Sequence, residues 1–319
     1  MTQEFNKPDV SIVFTNWNVR DLLRDCLRSV YEKTKDLTYE IIVVDDGSTD
    51  GSVEMLRREF PEVKLVINER NLGVAKSYNR GVAVTSGRFI QMLNTDMVLI
   101  NNAIKILMDF LENHPEAAAC AGKLRNRDMS PQISYGSFPS FTQALVDVLF
   151  IKELLPFLPV PSLGVSPDDS ITEPIEVEYL SGADMMIRRE VIEKIGFFDE
   201  LYTSYCEETD FCYRILHKTN WKLFFVPAAE IVHFGGMSFQ HVREYQLQLL
   251  YSSYNKFFKK HHGVLYSVAT RWLYALQYSI RFIFRVLAGL MERTEEKKQK
   301  IVEAFWHVKY SLFPKNHPT

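Results

Sequence analysis

Short apolar runs alternate with stretches whose apolar residues recur at helical spacing along the first part of the chain. The apolar runs predict strands over 10–15, 39–44, 63–67, 88–93 and 117–121. The helical spacing predicts helices over 19–33, 51–59, 74–85 and 101–113. Strands that alternate with helices of this length are typical of right-handed βαβ units. The sequence therefore predicts an α/β fold with a mostly parallel central sheet flanked by helices.

The regular alternation stops near residue 124. Residues 124–175 are rich in proline, which predicts a long loop over one face of the sheet, either a lid or a loop beside a binding site. Strand patterns return at 175–180 and 221–226, and helical patterns dominate from residue 241. We therefore expect an α/β region over 1–240, with halves 1–100 and 101–240, followed by a helical extension over 241–319.

The segment 264–290 predicts one long amphipathic helix. On a helical wheel, a polar sector lies opposite an apolar sector. The polar sector holds Ser267, Arg271, Tyr274, Gln277, Tyr278, Arg281 and Arg285, and the apolar sector holds Leu265, Trp272, Leu273, Leu276, Ile280, Ile283, Phe284 and Leu287. The arginines interrupt every apolar run before it reaches the ~20 residues that a membrane span needs.

Two interpretations of this helix are open. It packs on the α/β region or in a homo-oligomer interface, or it lies in the plane of a membrane with Arg and Lys at headgroup level. Flanking aromatics and the preceding Lys256, Lys259 and Lys260 favour the membrane interpretation. Residues 241–319 hold 13 Lys and Arg against five Asp and Glu, a net charge of +8, and residues 1–240 carry −11. The tail alone therefore matches an anionic surface, and nucleic-acid binding is not expected.

The four cysteines and residues 1–9 indicate the cellular compartment of the protein. Cys26, Cys120, Cys206 and Cys212 include no Cys-x-x-Cys pair, which favours reduced thiols over disulfides or a zinc site. Residues 1–9 lack an apolar signal core. We therefore expect a cytoplasmic protein.

Acidic and turn-forming residues follow two of the predicted strands. Asp45 and Asp46 open an Asp-Asp-Gly-Ser motif after strand 39–44, and Asn94-Thr95-Asp96 follows strand 88–93. Open α/β sheets bind ligands at the carboxyl ends of their strands. A carboxylate there can hold Mg²⁺ or Mn²⁺, which readily bridges to a diphosphate. Each motif alone is consistent with a turn or helix cap, but the combination predicts a nucleotide site.

A third motif, Asn71-Leu72-Gly73-Val74-Ala75-Lys76-Ser77-Tyr78-Asn79-Arg80-Gly81, opens a predicted helix. Its Gly73 lets backbone come close at the helix start, and a helix N-terminus attracts anions. The side chains of Asn79 and Arg80 lie two turns further on and are equally consistent with a polar helix face.

Two downstream segments carry further candidate chemistry. Glu207, Glu208 and Asp210 place three carboxylates within four residues, which predicts a general base with a raised pKa. The alternative is an acidic first turn that the helix dipole favours. His233 stands before Gly235-Gly236-Met237-Ser238, where backbone could approach a phosphate, which favours a metal or diphosphate role over a structural histidine.

Taken in order, these motifs resemble those of family 2 of the inverting, nucleotide-sugar-dependent glycosyltransferases, which have the GT-A fold, and most of all its bacterial rhamnosyltransferase-type branch. The resemblance covers roughly residues 9–240. It implies that Asp46 contacts the donor pyrimidine, that Glu208 is the catalytic base and that Asp210 is a reserve candidate. The other implied roles are donor binding by Thr15, Asn16, Asp45, Gly73, Lys76, Asn79 and Asn94, binding of Mg²⁺ or Mn²⁺ by Asp96 and His233, and an acceptor side formed by Gly182, Ala183, Asp184 and Glu207.

Three positions depart from the family pattern. Asn94 stands where many members have Asp, and Glu208 stands where Asp is commoner. Tyr78 occupies the place of a frequent diphosphate-contacting Arg, so Lys76 or Arg80 takes over that contact or it is absent.

The resemblance implies inverting transfer of a sugar from a UDP- or dTDP-linked donor to a hydroxyl of a glycan or polyprenyl-linked oligosaccharide. The enzyme would sit peripherally on the inner face of the cell membrane. One alternative is a catalytically inactive nucleotide- or carbohydrate-binding module of the same fold, which Asn94 motivates. A nucleotidyltransferase is disfavoured because residues 10–19 contain no glycine-rich loop.

Overall fold

The computed structural model describes residues 7–151, 163–167, 169–235, 243–291 and 295–314, and the chain forms two compact units. The sheet unit comprises Met1–Ser137, Gly164–Thr203 and Glu207–Ser238. The helical unit comprises Phe138–Leu163, Ser204–Cys206 and Phe239–Thr319. The helical unit thus takes in two segments that precede residue 240 as well as the predicted extension. The predicted Gly236-Met237-Ser238 segment lies outside the described residues.

The elements of the described residues follow the predicted alternation. The strands are β1 Val10–Asn16, β2 Tyr39–Asp45, β3 Lys64–Ile67, β4 Phe89–Leu93, β5 Met97–Leu99, β6 Ala117–Arg125, β7 Tyr135–Gly136, β8 Ile175–Val177, β9 Tyr179–Leu180, β10 Asp184–Arg188 and β11 Lys222–His233. The helices are α1 Arg20–Lys33, α2 Ser52–Glu59, α3 Val74–Val82, α4 Ala103–Asn113, α5 Phe141–Val148, α6 Arg189–Ile195, α7 Glu207–Lys218, α8 Arg243–His262, α9 Val264–Met291 and α10 Glu295–Leu312.

The main sheet has the strand order β3-β2-β1-β4-β10-β6-β11-β5, with β8 paired to β11. The strands β3, β2, β1 and β4 are parallel, as the βαβ pattern predicts. Strand β10 runs antiparallel between β4 and β6, and β11 is parallel to β6. The parallel strands therefore place the ends of β2 and β4, with Asp45 and the Asn94 turn, at one edge of the sheet.

The core explains why these segments fold as they do. The central strands are buried along their length, so they appear in the sequence as continuous apolar runs rather than alternating ones. Helix α1 buries Leu23, Leu27 and Val30 at a spacing of three and four residues. Those residues join Ile12 and Val43 in one apolar cluster. The sheet unit therefore has a rigid base for side chains at its carboxyl edge.

Three features differ from the sequence prediction. The 124–175 stretch is not a plain loop, because it contains helix α5 and strand β7. Strand β10 was absent from the prediction. Strand β11 continues past Pro227 to His233, and a register shift between Val226 and Glu230 accommodates the proline, which has no N–H to donate. That continuation brings His233 opposite Met97 of β5.

In the helical unit, α9 packs against α5, α8 and α10. Its bounds closely match the predicted helix over 264–290. Among the described helices, none has both the length and the hydropathy that would let it cross a bilayer.

Candidate active site

Asp45 and Asp46 lie at the end of β2, where the sequence predicts them, and both are buried. The Asp45 carboxylate accepts hydrogen bonds from Asn16 Nδ2 at 2.8 Å and from the Ser48 backbone N–H at 2.9 Å. The Asp46 carboxylate accepts from Asn68 Nδ2 at 2.7 Å and from the N–H groups of residues 72 and 73 at 2.8 and 3.1 Å. These two carboxylates therefore hold the loops of the predicted donor site together.

The start of α3 is close to the loop that ends at Thr203. Gly73 has a φ of 88°, and a Cβ at this position would come within 2.5 Å of the Thr203 carbonyl oxygen. That same carbonyl accepts the Val74 N–H at 2.9 Å. Glycine is therefore required here by close backbone packing and by a left-handed φ. The side chain of Lys76, one turn into α3, is half-buried.

The side chains of Asn79 and Thr15 contact other parts of the same chain. The Asn79 amide donates to the Phe198 carbonyl at 2.9 Å and accepts the Phe198 N–H at 3.1 Å, which clamps α3 to the 197–200 loop. Thr15 hydrogen-bonds to the hydroxyl of the buried Tyr78. In place of the arginine frequent in the family, Tyr78 is thus a residue of the protein interior.

Asp96 and His233 come together because β11 pairs with β5. The Asp96 Oδ1 and His233 Nε2 atoms are 3.3 Å apart, and the Asn94 side-chain Nδ2 lies 3.5 Å from the same nitrogen. The Phe234 N–H also donates to the Asp96 carbonyl at 2.9 Å. Two residues 137 positions apart in the sequence therefore form one pair at the carboxyl edge of the sheet.

Gln132 determines which imidazole nitrogen carries the proton. Its Nε2 donates to Asn126 Oδ1 at 2.9 Å and to the His233 carbonyl at 3.1 Å, so its Oε1 must be the acceptor toward His233. That Oε1 lies 2.7 Å from His233 Nδ1. A neutral imidazole therefore has its proton on Nδ1 and its lone pair on Nε2, which faces Asp96.

A lone pair facing a carboxylate oxygen needs a cation or a proton between them. Two ligands of one octahedral ion with bonds of about 2.1–2.3 Å lie about 3.0–3.3 Å apart, close to the observed spacing. Carboxylate oxygen, amide and imidazole also suit a hard or borderline divalent ion. No group of three or more His, Cys, Asp or Glu that could hold a metal occurs within the described ranges. The protein here thus offers a partial ligand set, of the kind that a diphosphate completes.

Glu207 and Glu208 open α7, directly after a strained turn. Tyr205 and Cys206 have φ values of 66° and 68°, in the left-handed region that residues with a Cβ rarely adopt. Such strain is concentrated at functional sites, where the surrounding structure holds it in place. The turn sets the direction in which the first residues of α7 project.

Glu207 is buried and Glu208 half-buried, and the two carboxyl groups have unequal surroundings. Burial raises the pKa of Glu207 well above its usual range, and the neighbouring Glu208 raises it further. Burial also raises the pKa of Glu208, but the Tyr179 hydroxyl donates to its Oε1 at 2.9 Å and lowers that pKa. The pair therefore loses its first proton at Glu208.

One oxygen of each glutamate has no hydrogen-bond partner. The Oε2 atoms of Glu207 and Glu208 are both buried and unpaired. A buried carboxylate oxygen without a donor is costly unless a ligand supplies one. The ionised Glu208 therefore has an acceptor position available for an incoming hydroxyl.

Asp210, two residues further along α7, is paired within the protein. Its Oδ2 accepts from Arg214 Nε at 2.7 Å and its Oδ1 from the Tyr202 hydroxyl at 3.3 Å. Arg214 in turn donates to the carbonyls of Ile195 and Gly196. This geometry favours a structural role for Asp210 and leaves Glu208 as the candidate base.

Gly182 and Ala183 connect Glu208 with the Asp96 region. A Cβ on Gly182 would lie 3.0 Å from Glu208 Cγ, so glycine permits the glutamate to pack there. The neighbouring Ala183 carbonyl accepts the Asn94 N–H at 2.9 Å. These two adjacent residues thus contact Glu208 on one hand and Asn94 on the other.

Asp184 lies in the sheet beneath that site. Its carboxylate accepts from Gly122 N–H at 2.8 Å and Gln91 Nε2 at 2.5 Å. Burial raises the pKa of Asp184 to about 6, although both hydrogen bonds act in the opposite direction. Asp184, which the sequence predicts on the acceptor side, is therefore a buried residue of the sheet with both carboxylate oxygens hydrogen-bonded within the protein.

The arrangement of strands and helices is that of the GT-A fold, which two solved glycosyltransferases share. The chain is similar to the mannosyltransferase PcManGT from Pyrobaculum calidifontis, solved with GDP-Man and Mn²⁺, with a TM-score of 0.58, 15% identity, and coverage of 98% of this chain and 89% of that one. It is also similar to GalNAc-T7, solved with UDP, GalNAc and Mn²⁺, with a TM-score of 0.56, 15% identity, and coverage of 82% and 53%. Both similarities confirm the predicted fold.

The sequence comparison identifies the family. Residues 11–196 match the family model of glycosyl transferase family 2, and the chain belongs to that family. It is 28% identical over 276 residues to the N-acetylglucosaminyl-diphospho-decaprenol L-rhamnosyltransferase of Mycobacterium tuberculosis. The aligned region covers 82% of this chain and 88% of that protein. The family expected from the sequence motifs is therefore confirmed.

Two residues of the site had no role in the sequence prediction. Tyr179 lies within the predicted strand over 175–180, but nothing in the sequence indicated that its hydroxyl meets Glu208. Gln132 lies in the proline-rich stretch 124–175, 101 positions before its partner His233. Because no local pattern connects residues so far apart, only the folded chain reveals these contacts.

Proposed function

We propose that this glycosyltransferase moves a sugar from a UDP- or dTDP-linked donor to an acceptor hydroxyl with inversion at the anomeric carbon. The observation that carries the proposal is Glu208, whose Oε2 atom is buried and unpaired and which packs against Gly182, next to the Ala183 that binds Asn94. A single base is sufficient for a direct displacement.

Glu208 is the proton acceptor in this proposal. As the acceptor oxygen bonds to the anomeric carbon, its proton passes to Glu208 Oε2, and the bond from that carbon to the diphosphate breaks with its electron pair on the diphosphate. The Tyr179 hydroxyl keeps Glu208, rather than Glu207, in the ionised form that this step requires. Glu207 remains neutral beside it and limits the charge in the pocket.

Asp96 and His233, with Asn94 beside them, are the residues that would hold Mg²⁺ or Mn²⁺. A bound divalent ion supplies charge stabilisation to the departing diphosphate. Gln132 keeps the His233 proton on Nδ1 and so leaves Nε2 available. The Mn²⁺ in both related structures supports a divalent ion in this protein as well.

For the acceptor, we infer a glycan carried on a polyprenyl lipid at the cytoplasmic membrane face. The similarity to the mycobacterial relative extends over most of this chain, and the name of that relative describes an acceptor of that kind. The basic helical tail is consistent with work at an anionic surface. The enzyme would then be peripheral to the membrane.

Calorimetric titration with UDP, dTDP and GDP, each with and without Mn²⁺, tests the donor site. We expect Mn²⁺-dependent binding of one pyrimidine diphosphate, and loss of that binding in Asp96→Ala. Binding of none of the three by the folded protein would contradict the proposal and would favour an inactive module that binds a different ligand.

Glu208→Gln tests the base. Loss of a positioned base costs about 10²–10⁴-fold in rate. Glu193→Gln, at an exposed glutamate on α6, is the matched control and should retain the wild-type rate. Near-normal turnover of folded Glu208→Gln would exclude Glu208, and measurable donor hydrolysis by the wild type would exclude the inactive module.

A further inference from the structure

Helix α9 turns its polar sector inward. Ser267 and Thr270 are fully buried, and Ser267 Oγ donates to Asn255 Oδ1 of α8 at 2.8 Å. The Arg271 guanidinium donates to the Ser311 carbonyl at 3.1 Å, at the end of α10. Arg271, which the membrane interpretation places at headgroup level, therefore binds a carbonyl inside the helical unit.

A second arginine of α9 also donates to a backbone carbonyl of α10. Arg285 Nη1 donates to the Lys300 carbonyl of α10 at 2.7 Å. Arg271 and Arg285 thus lie on the side of α9 that faces α10. With its polar residues used for packing, the helix must expose its apolar residues on the opposite side.

The apolar face of α9 is exposed along most of the helix. Leu265 is 87% exposed and Trp272 64%, and Leu276, Ile283 and Leu287 are each at least half exposed. At 100° per residue, these five side chains fall within about 60° of one another, and they extend over about 33 Å. We call them the outward face. Contiguous apolar surface of this size is unusual on a protein that has no partner for it.

The net positive charge of the segment that contains α9 favours an anionic partner for the outward face. The segment 241–319 carries +8, and Lys259, Lys260, Lys298 and Lys300 are exposed at the end of α8 and the start of α10. A second copy would bring another +8 against this charge, whereas an anionic lipid surface complements it. Tryptophan is also favoured at the boundary between headgroups and acyl chains.

We propose that α9 docks in the plane of an anionic bilayer, with the outward face against the acyl chains and the exposed lysines among the headgroups. This inference extends the proposed function, because a lipid-carried acceptor would be presented at the same surface. It changes one part of the membrane interpretation drawn from the sequence, since Arg271 and Arg285 bind carbonyls of α10 instead of headgroups.

Vesicle flotation of the full-length protein tests the proposal. The probes are vesicles of phosphatidylcholine alone and of phosphatidylcholine with about one third phosphatidylglycerol. We expect flotation with the anionic vesicles and a partition coefficient lower by at least ~10-fold for the double variant Trp272→Glu, Leu276→Glu. Val84→Glu, which changes an exposed apolar residue of the sheet unit, is the matched control and should float like the wild type.

The lysines are tested separately. The double variant Lys259→Glu, Lys260→Glu should lose most of the preference for anionic over neutral vesicles. Circular dichroism and calorimetric nucleotide binding confirm that each variant is folded, which is expected because the changed side chains are exposed.

Three outcomes would overturn the inference. They are absence of flotation, flotation that the Trp272 and Leu276 changes leave intact, and a lipid-free dimer in sedimentation analysis that those changes dissociate. The last outcome would assign the outward face to a second copy. Because flotation needs neither donor nor acceptor, its failure leaves the proposed sugar transfer standing, and failure of nucleotide binding leaves the lipid result standing.

Discussion

Replacement of Tyr179 by phenylalanine isolates one hydrogen bond in the candidate site. The Tyr179 hydroxyl donates to Glu208 Oε1 at 2.9 Å and favours the ionised glutamate. Phenylalanine keeps the ring and removes the donor. Without that donor, Glu208 loses the largest of the contacts that lower its pKa while burial still raises it, so the pKa must rise.

The size of the shift follows from the type of bond. A hydrogen bond to a charged group contributes about 1.5–3 kcal/mol, and one pKa unit corresponds to about 1.4 kcal/mol. The pKa of Glu208 in Tyr179→Phe should therefore rise by about 1–2 units. Because the base must be ionised, the acid limb of the kcat/KM profile should move to higher pH by the same amount, and activity should recover at alkaline pH.

The assay is release of nucleoside diphosphate from the donor sugar, followed from about pH 5 to pH 9. Tyr39→Phe, at a half-buried tyrosine at the start of β2, is the matched control and should leave the profile in place. A loss of kcat/KM by one factor at every pH would refute the reasoning, because it would mean that Tyr179 only positions Glu208. An acid limb displaced to lower pH would refute it as well.

Further predictions concern the cation site and stability. Gln132→Leu should weaken Mn²⁺ binding about 10–100-fold in calorimetry, and unchanged affinity would show that Gln132 does not orient the histidine. Although burial opposes it, hydrogen bonds from Lys64 and two serines lower the pKa of Glu40 to about 2. Since this pKa lies below the unfolded value near 4.5, the stabilisation of ~3 kcal/mol is present above pH 4.5 and lost as the pH falls toward 2. Urea unfolding of Glu40→Gln should show a weaker acid dependence. Burial raises the pKa of Asp184 to about 6, so ionisation costs stability as the pH rises from about 4 to 6. Unfolding of Asp184→Asn should lack that loss, and an unchanged pH dependence would contradict the assignment.

The parallel half of the sheet could be predicted because its signals are local. Buried strands appear as apolar runs, and α1 repeats its buried residues at helical spacing. Strand β10 could not be predicted in the same way, since it pairs antiparallel with β4, whose partner residues lie about 90 positions earlier. The extension of β11 was also hidden, because Pro227 reads as a strand end unless the register shift is known.

The outward face of α9 shows a limit of a different kind. The hydrophobic pattern predicts an amphipathic helix but does not say which side the protein covers. A polar side normally faces water, yet here Ser267 and Arg271 donate to groups of α8 and α10, and the buried Thr270 donates to Tyr266 within α9. The inward direction depends on carbonyl and amide groups about 10–40 residues away, which no helical wheel includes.

The same distinction separates the predicted site residues into two groups. A motif shows that a polar residue stands at a strand end, but its role depends on whether the folded chain already uses its hydrogen-bonding atoms. The side chains of Asp46, Asn79 and Asp210 already form hydrogen bonds with other parts of the protein. Glu208 keeps a buried oxygen without a donor, and His233 directs a lone pair at Asp96. Since an unsatisfied buried acceptor is costly to maintain, we expect an acceptor hydroxyl at Glu208 Oε2 to contribute strongly to the free energy of the complex.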